Sequence, residues 1–152
     1  MAGAPRRRPA APEGRRRGAR RGQLPVFAVV AVGGSVGACA RFAAALLWPT
    51  AERAFPWTTL GVNAVGCLVI GVFMVVITEV WAAHPLVRPF FGTGVLGGFT
   101  TFSTYCVDID RLVRDDLPGP ALAYMAGTVV VALGAARIGM VGARWFLVTR
   151  RS

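Results

Sequence analysis

The sequence has no lysine, a single histidine and only seven acidic residues in 152. The lone His84 falls in a short connector, and no Ser/His/Asp, Cys/His or multi-histidine grouping exists from which nucleophilic or metal-assisted chemistry could be built. Enzymatic function has no candidate residues. Cysteine is scarce too: Cys39, Cys67 and Cys106 are odd in number, lie in apolar stretches and lack metal-ligand spacing, so they read as small packing residues. Carboxylates are missing from the interior of the apolar runs, because Glu79 and the group Asp108, Asp110, Asp115 and Asp116 stand at or beyond the expected helix ends. Their absence argues against a proton-driven transporter, which needs such a group at membrane depth.

What remains is strongly apolar. At 55% hydrophobic, 16% charged and mean hydropathy +0.56, the chain is too greasy for an ordinary soluble domain and short for more than one. All 17 basic residues are arginines, and Arg6, Arg7, Arg8, Arg15, Arg16, Arg17, Arg20 and Arg21 precede the first apolar run. The net charge of +10 is therefore mostly a property of residues 1–23, a Pro/Ala/Arg/Gly tail that cannot bury a core and is expected to be disordered. No aromatic residue is interleaved with these arginines and no folded reader follows, so nucleic acid is not expected as a partner. A signal peptide is also disfavoured, since the run 25–48 is too long and no small-residue cleavage site closes it.

Residues 24–149 read as a single four-helix transmembrane domain. The apolar runs 25–48, 57–78, 89–107 and 118–136 each approach the roughly 20 residues a spanning helix needs. The connectors 49–56, 82–89 and 108–119 carry Pro, Trp and charge, as interfacial turns should. With the N-terminus inside, the eight tail arginines, Arg88, Arg144, Arg150 and Arg151 fall on one side, against Arg53, Arg111 and Arg114 on the other. This bias predicts both termini in the cytoplasm.

Within the spans, Gly33 and Gly37 form a G-x-x-x-G pair suited to close helix approach. Arg41 either faces the protein interior or snorkels to the interface. Thr59, Asn63 and Cys67 share one helical face, on which Asn63 either glues helices together or lines a pathway with its amide donors. Tyr124 and Thr128 repeat the device in the fourth span. Arg137 either marks a helix end or pairs with a group the sequence does not identify. The third run is the misfit, with four glycines and a hydroxyl cluster in residues 92–105 of an uncharged stretch. A Gly-rich break at membrane depth survives only where it is buried in protein or lines a polar cavity. Two half-helices, 86–96 and 101–116, separated by an unwound 97–100, would expose carbonyls on one side and N–H groups on the other. Phe99, Phe102 and Tyr105 recur at i, i+3, i+6 and would line one face, as core packing or as ring edges toward an anion.

Three motifs in this order carry a resemblance: G-G-S-V-G-A-C-A-R-F at 33–42, T-L-G-V-N at 59–63 followed by Gly66 and Gly71, and G-G-F-T-T-F-S-T-Y at 97–105. Together they resemble the Fluc (CrcB) fluoride channels, over nearly everything from Phe27 to the fourth helix. The resemblance implies an all-α integral membrane fold of four helices, the third broken near the bilayer midplane, forming an antiparallel dual-topology dimer with two fluoride pores. It implies a structural Na+ held by the backbone carbonyls of Gly97 and Thr100, and an anion path of Asn63, Phe102, Tyr105, Ser103, Thr104, Thr59 and Thr128. Arg41, Gly98 and Thr101 take structural roles. The implied activity is passive export of fluoride from the cytoplasm by a multi-pass protein of the cell membrane. The chain departs from the family pattern at Tyr105, where phenylalanine is usual, at Thr58, where glycine is common, and at Ala132, where the polar track often continues. The arginine asymmetry suits one sequence inserting both ways poorly, which points to a heterodimer with an oppositely inserted homologous subunit as the alternative to a homodimer. A small four-helix transporter is the remaining competing reading.

Overall fold

A computed structural model describes residues 13–147, with side chains from residue 23 onward. Residues 1–12 of the expected disordered tail, and Arg150 and Arg151, lie outside the described residues. The described chain is all-helical. Helix α1 runs Glu13–Leu47 with Pro25 inside it, and α2 runs Trp57–Val80, its last five residues wound as a π-helix. Helix α3 comprises a π-wound segment Arg88–Leu96 and the α-turn Gly97–Phe99; α4 is Ser103–Arg114 and α5 is Pro118–Leu147. Among the described residues, three segments are long and apolar enough to cross a membrane: Gln23–Leu47, Trp57–Val80 and Pro118–Leu147. The third expected span is instead divided between α3 and α4.

Several expected boundaries move. The helix begins at Glu13, inside the segment expected to lack structure, where Ala, Arg and Gln are all strong helix formers. Residues 97–99, expected to be unwound, are helical. The chain leaves the helix one step later, at Thr100, whose φ of −73° and ψ of 156° are extended, and re-enters it at Ser103. No glycine among the described residues adopts positive φ, so Gly97 and Gly98 are not there to supply a left-handed turn. The connector expected over 108–119 is helical up to Arg114; the turn into α5 is made by Asp115 and by Asp116 in the left-handed region at φ 58°. Asp108 consequently stands inside α4 rather than at or beyond a helix end. Nor does Arg137 mark a terminus, because α5 continues ten residues past it to Leu147.

Glycine is used for close approach. Helices α1 and α3 cross in parallel so tightly that a Cβ on Gly33 would strike the Phe90 carbonyl and the Gly94 Cα, and one on Gly37 would strike the Val95 carbonyl and Phe99 N. A Cβ on Gly98 would meet Gly34. Helices α2 and α5 repeat the contact, also in parallel, with Gly71 against Ala136 and Gly139 against Leu68. Such backbone-to-backbone packing replaces the hydrophobic drive that lipid does not supply between helices. Helix α4 leans on α5 through a buried cluster of Tyr105, Leu112, Ala121 and Tyr124.

The ends are tied by polar contacts. At one end Thr58 Oγ1 donates to the Trp48 carbonyl, Arg53 to the Asp115 carbonyl and Arg111 to the Ala54 carbonyl. At the other, Arg144 pairs with Glu79 and Arg88 donates to the Ile77 carbonyl. Arg88 and Arg144, the members of the first arginine group whose side chains are described, thus lie at the bundle end opposite Arg53 and Arg111.

Gly37→Ala is expected to destabilise the protein by about 1–3 kcal/mol through overpacking against backbone that cannot yield. Gly142→Ala, whose added Cβ meets nothing within 4 Å, should leave the detergent melting temperature near wild type; equal melting of both variants would contradict the packing described.

Candidate functional site

The interruption between α3 and α4 is held by a side chain from another helix. Asn63, buried on α2, accepts from the Thr101 N–H through Oδ1 at 2.8 Å and donates from Nδ2 to the Thr101 carbonyl at 3.0 Å. One carboxamide therefore satisfies both polar groups of one residue that has left the helix, where each would otherwise be unpaired at depth. Asn63 thus joins helices, one of the two roles open to it from the sequence, and keeps one Nδ2 proton for a further acceptor. Gly66, one turn further along α2, admits the Thr100 methyl, which an added Cβ would strike.

The break redistributes donors along the backbone. In a continuous helix the Thr101 N–H would bond to the Gly97 carbonyl and the Thr104 N–H to the Thr100 carbonyl. Here the first goes to Asn63 and the second to Thr101 Oγ1 at 3.1 Å. The carbonyls of Gly97 and Thr100 are thereby released from their helical donors. The Gly98 carbonyl is treated differently, accepting Arg41 Nε at 3.2 Å. Arg41 thus turns inward to the break instead of leaving for the interface. No group of three or more His, Cys, Asp or Glu residues that could hold a metal occurs among the described residues. Any cation here would have to be held by backbone oxygens, the donor set that suits a hard ion.

On the α4 side, hydroxyls link to one another. Thr101 Oγ1 donates to Thr104 Oγ1 at 2.9 Å and lies 3.3 Å from Ser103 Oγ. Phe102 and Tyr105 stack with centroids 5.6 Å apart, but they are unlike in setting, Phe102 being 76% exposed and Tyr105 9%. Phe99, expected on the same stripe, is separated from them by the break and lines a different groove with Trp48 and Trp57. A groove of about 450 Å³ brings together Asn63, Thr101, Phe102, Tyr105 and Thr128, beside Gly97 and Thr100. Thr128 Oγ1 is buried in it without a hydrogen-bond partner. Thr59, Ser103 and Thr104 do not line that groove; Thr59 stands beside the Tyr124 hydroxyl, further toward the bundle end.

Two connections were missed from the sequence. The Tyr105 hydroxyl donates to the Met125 carbonyl at 3.0 Å, and the Tyr124 hydroxyl donates to Asp108 Oδ2 at 3.3 Å, with the two rings stacked at 5.4 Å. Asp108 also lies 3.8 Å from Arg111. The available signal was that a buried Tyr hydroxyl requires a partner, which asks where Tyr105 and Tyr124 send theirs.

Asn63→Ala removes both clamp hydrogen bonds and leaves the Thr101 N–H and carbonyl unpaired. Each unsatisfied buried group costs about 1–3 kcal/mol, so a marked loss of thermal stability and faster amide exchange at Thr101 are expected; wild-type exchange at Thr101 would remove the clamp.

A family model described as CrcB-like protein, Camphor Resistance (CrcB), matches residues 28–140. The chain is 70% identical over 115 residues to Fluoride-specific ion channel FluC 2 of Streptomyces avermitilis, covering 76% of this chain and 73% of that protein. It is 63% identical over 132 residues to Fluoride-specific ion channel FluC 1 of Streptomyces coelicolor, covering 87% and 86%. Fluoride-specific ion channel FluC 2 of Nocardia farcinica is 46% identical over 120 residues, covering 79% and 86%. With the match spanning both halves of the divided span and all the helices that contact it, the chain belongs to the CrcB-like family, a family of ion channels and not of enzymes.

Proposed function

We propose that this protein is a subunit of a fluoride-selective channel that passively exports F− from the cytoplasm. The observation that carries this reading is the divided third span, in which one face offers released carbonyls and the other offers hydroxyls and aromatic rings. Fluoride leaving as the bare anion would be driven by an inside-negative potential at about 2.3 kcal/mol per charge per 100 mV. Its hydration shell would be replaced by the spare Nδ2 proton of Asn63, the unpartnered Thr128 hydroxyl and the ring edges of Phe102 and Tyr105. Thr59, Ser103 and Thr104 extend the polar track beyond the groove. Many weak donors, and no arginine among the residues lining the groove, suit rapid release.

The functional unit in this reading is an antiparallel dual-topology dimer, with the third span of each subunit broken near the bilayer midplane. Phe102 projects from the single chain with three-quarters of its surface free, and the groove beneath it is open, so a facing subunit would complete the lining. The carbonyls of Gly97 and Thr100 from two such subunits would hold a structural Na+, with Arg41 on Gly98 fixing the turn that presents them; the ion would supply positive charge at the dimer axis. The termini are assigned to the cytoplasm. Arg88 and Arg144 share one bundle end with the N-terminus of the first span, and this asymmetry favours a heterodimer with an oppositely inserted homologue over a homodimer.

Fluoride-electrode recording from proteoliposomes tests the reading. Efflux that needs a counter-charge pathway and ignores an imposed proton gradient is expected, with or without a second subunit according to the dimer's composition. Phe102→Ala should lower the rate by about tenfold or more, a barrier rise of about 1.4 kcal/mol, while leaving assembly intact. No fluoride release from either preparation would refute the channel, proton-coupled movement would favour a transporter, and a conducting homodimer from this chain alone would refute the heterodimer.

A further inference from the structure

The bundle end that gathers the C-termini of α2 and α5 with the N-terminus of α3 carries the side chains of Arg88, Arg137 and Arg144. Two are engaged: Arg88 Nη2 donates to the Ile77 carbonyl at 3.1 Å, and Arg144 meets Glu79 Oε1 through Nε at 2.8 Å and Nη2 at 2.6 Å. Arg137 is exposed on α5 with neither an ion pair nor a hydrogen bond among the described residues. Glu79, the carboxylate described at this end, is already taken by Arg144. Glu52, Asp110, Asp115 and Asp116 belong to the opposite end, and Asp108 is bound to Tyr124 and Arg111.

The surface around Arg137 is hydrocarbon. Val130 and Val141, at i−7 and i+4, are both exposed on the same side of α5 and do not line the groove beside Asn63. Arg144 is seven residues on, roughly 10 Å along the axis, which sets Arg137 about two turns inside the polar bundle end. A guanidinium there must extend toward the interface and find an anion, and the described chain offers none. A soluble anion has no affinity for the aliphatic face below. A lipid phosphate does arrive at this depth, because its acyl chains cover that face while its headgroup sits at the rim. The guanidinium fork matches phosphate oxygens in pairs.

We propose that Arg137 anchors an anionic-phospholipid site on the outer face of α5, holding the phosphate while the acyl chains lie along Val130 and Val141. The site requires only insertion in a bilayer and is independent of the fluoride reading. Native mass spectrometry of the detergent-purified full chain, titrated with phosphatidylglycerol or with phosphate-free diacylglycerol, tests it. Wild type should retain phosphatidylglycerol in preference to diacylglycerol. Arg137→Gln should weaken phosphatidylglycerol binding by about tenfold, Arg137→Lys should restore part of it, and inorganic phosphate in large excess should not compete. Unchanged binding in Arg137→Gln would overturn the site. Competition by inorganic phosphate would make it a soluble-anion site instead. Oligomer dissociation in Arg137→Gln, with phosphatidylglycerol binding unchanged, would reassign Arg137 to an acidic side chain of a partner subunit.

Discussion

The two hydrogen bonds between Asn63 and the Thr101 backbone carry the rest of the architecture, because they solve a problem that no local device within α3 and α4 solves. A residue that leaves a helix at membrane depth exposes an N–H and a carbonyl with no water to take them. A carboxamide from a neighbouring helix presents the complementary acceptor and donor in one rigid plane, so a single side chain absorbs the disruption. That solution dictates packing elsewhere. Helix α2 must lie close enough for Asn63 to reach, which is why Gly66 faces Thr100, and α1 must fit against the turn before the break, which is why Gly34 and Gly37 face Gly98 and Phe99.

Once the Thr101 N–H belongs to Asn63 and the Thr104 N–H to Thr101 Oγ1, the backbone is polarised. Carbonyls of Gly97 and Thr100 lose their helical donors on one side of the break, while hydroxyls and aromatic rings collect on the other. Under the proposed function these are a fixed cation's ligands and a moving anion's path, separated by a few residues of one chain. Arg41 takes the Gly98 carbonyl, which lies between the two released carbonyls of Gly97 and Thr100. Tyr105 adds rigidity, its hydroxyl fastened to the Met125 carbonyl so that the ring is positioned from both α4 and α5.

Much of this was legible in the sequence, for identifiable reasons. Long apolar runs located α1, α2 and α5, because twenty uncharged residues have few soluble explanations. The conflict between spanning length and Gly/Thr content located the interruption. Its register was missed by a few residues: glycine content pointed to 97–100, but Gly97 and Gly98 serve the crossing with α1, and the backbone turns where Asn63 can capture it. The side of Arg41 was open because depth along a helix does not say what lies beside it. Asp108, read as a connector residue, was misplaced because charge was taken to mean a helix end, whereas Tyr124 and Arg111 hold it inside α4. Pairings such as Tyr105 with Met125 join residues far apart in sequence and have no local signature.

The central claim is that one interruption separates a carbonyl set from a hydroxyl and ring set, each for its own ion. Solid-state NMR of the protein in bilayers, with carbonyl labels at Gly97 and Thr100 and side-chain labels at Phe102 and Thr104, measures it directly when Na+ and F− are varied separately. Replacing an organic cation with Na+ should move the Gly97 and Thr100 carbonyl resonances alone, and adding F− should move those of Phe102 and Thr104 alone. If both ions move the same resonances, or neither moves any, the account is contradicted.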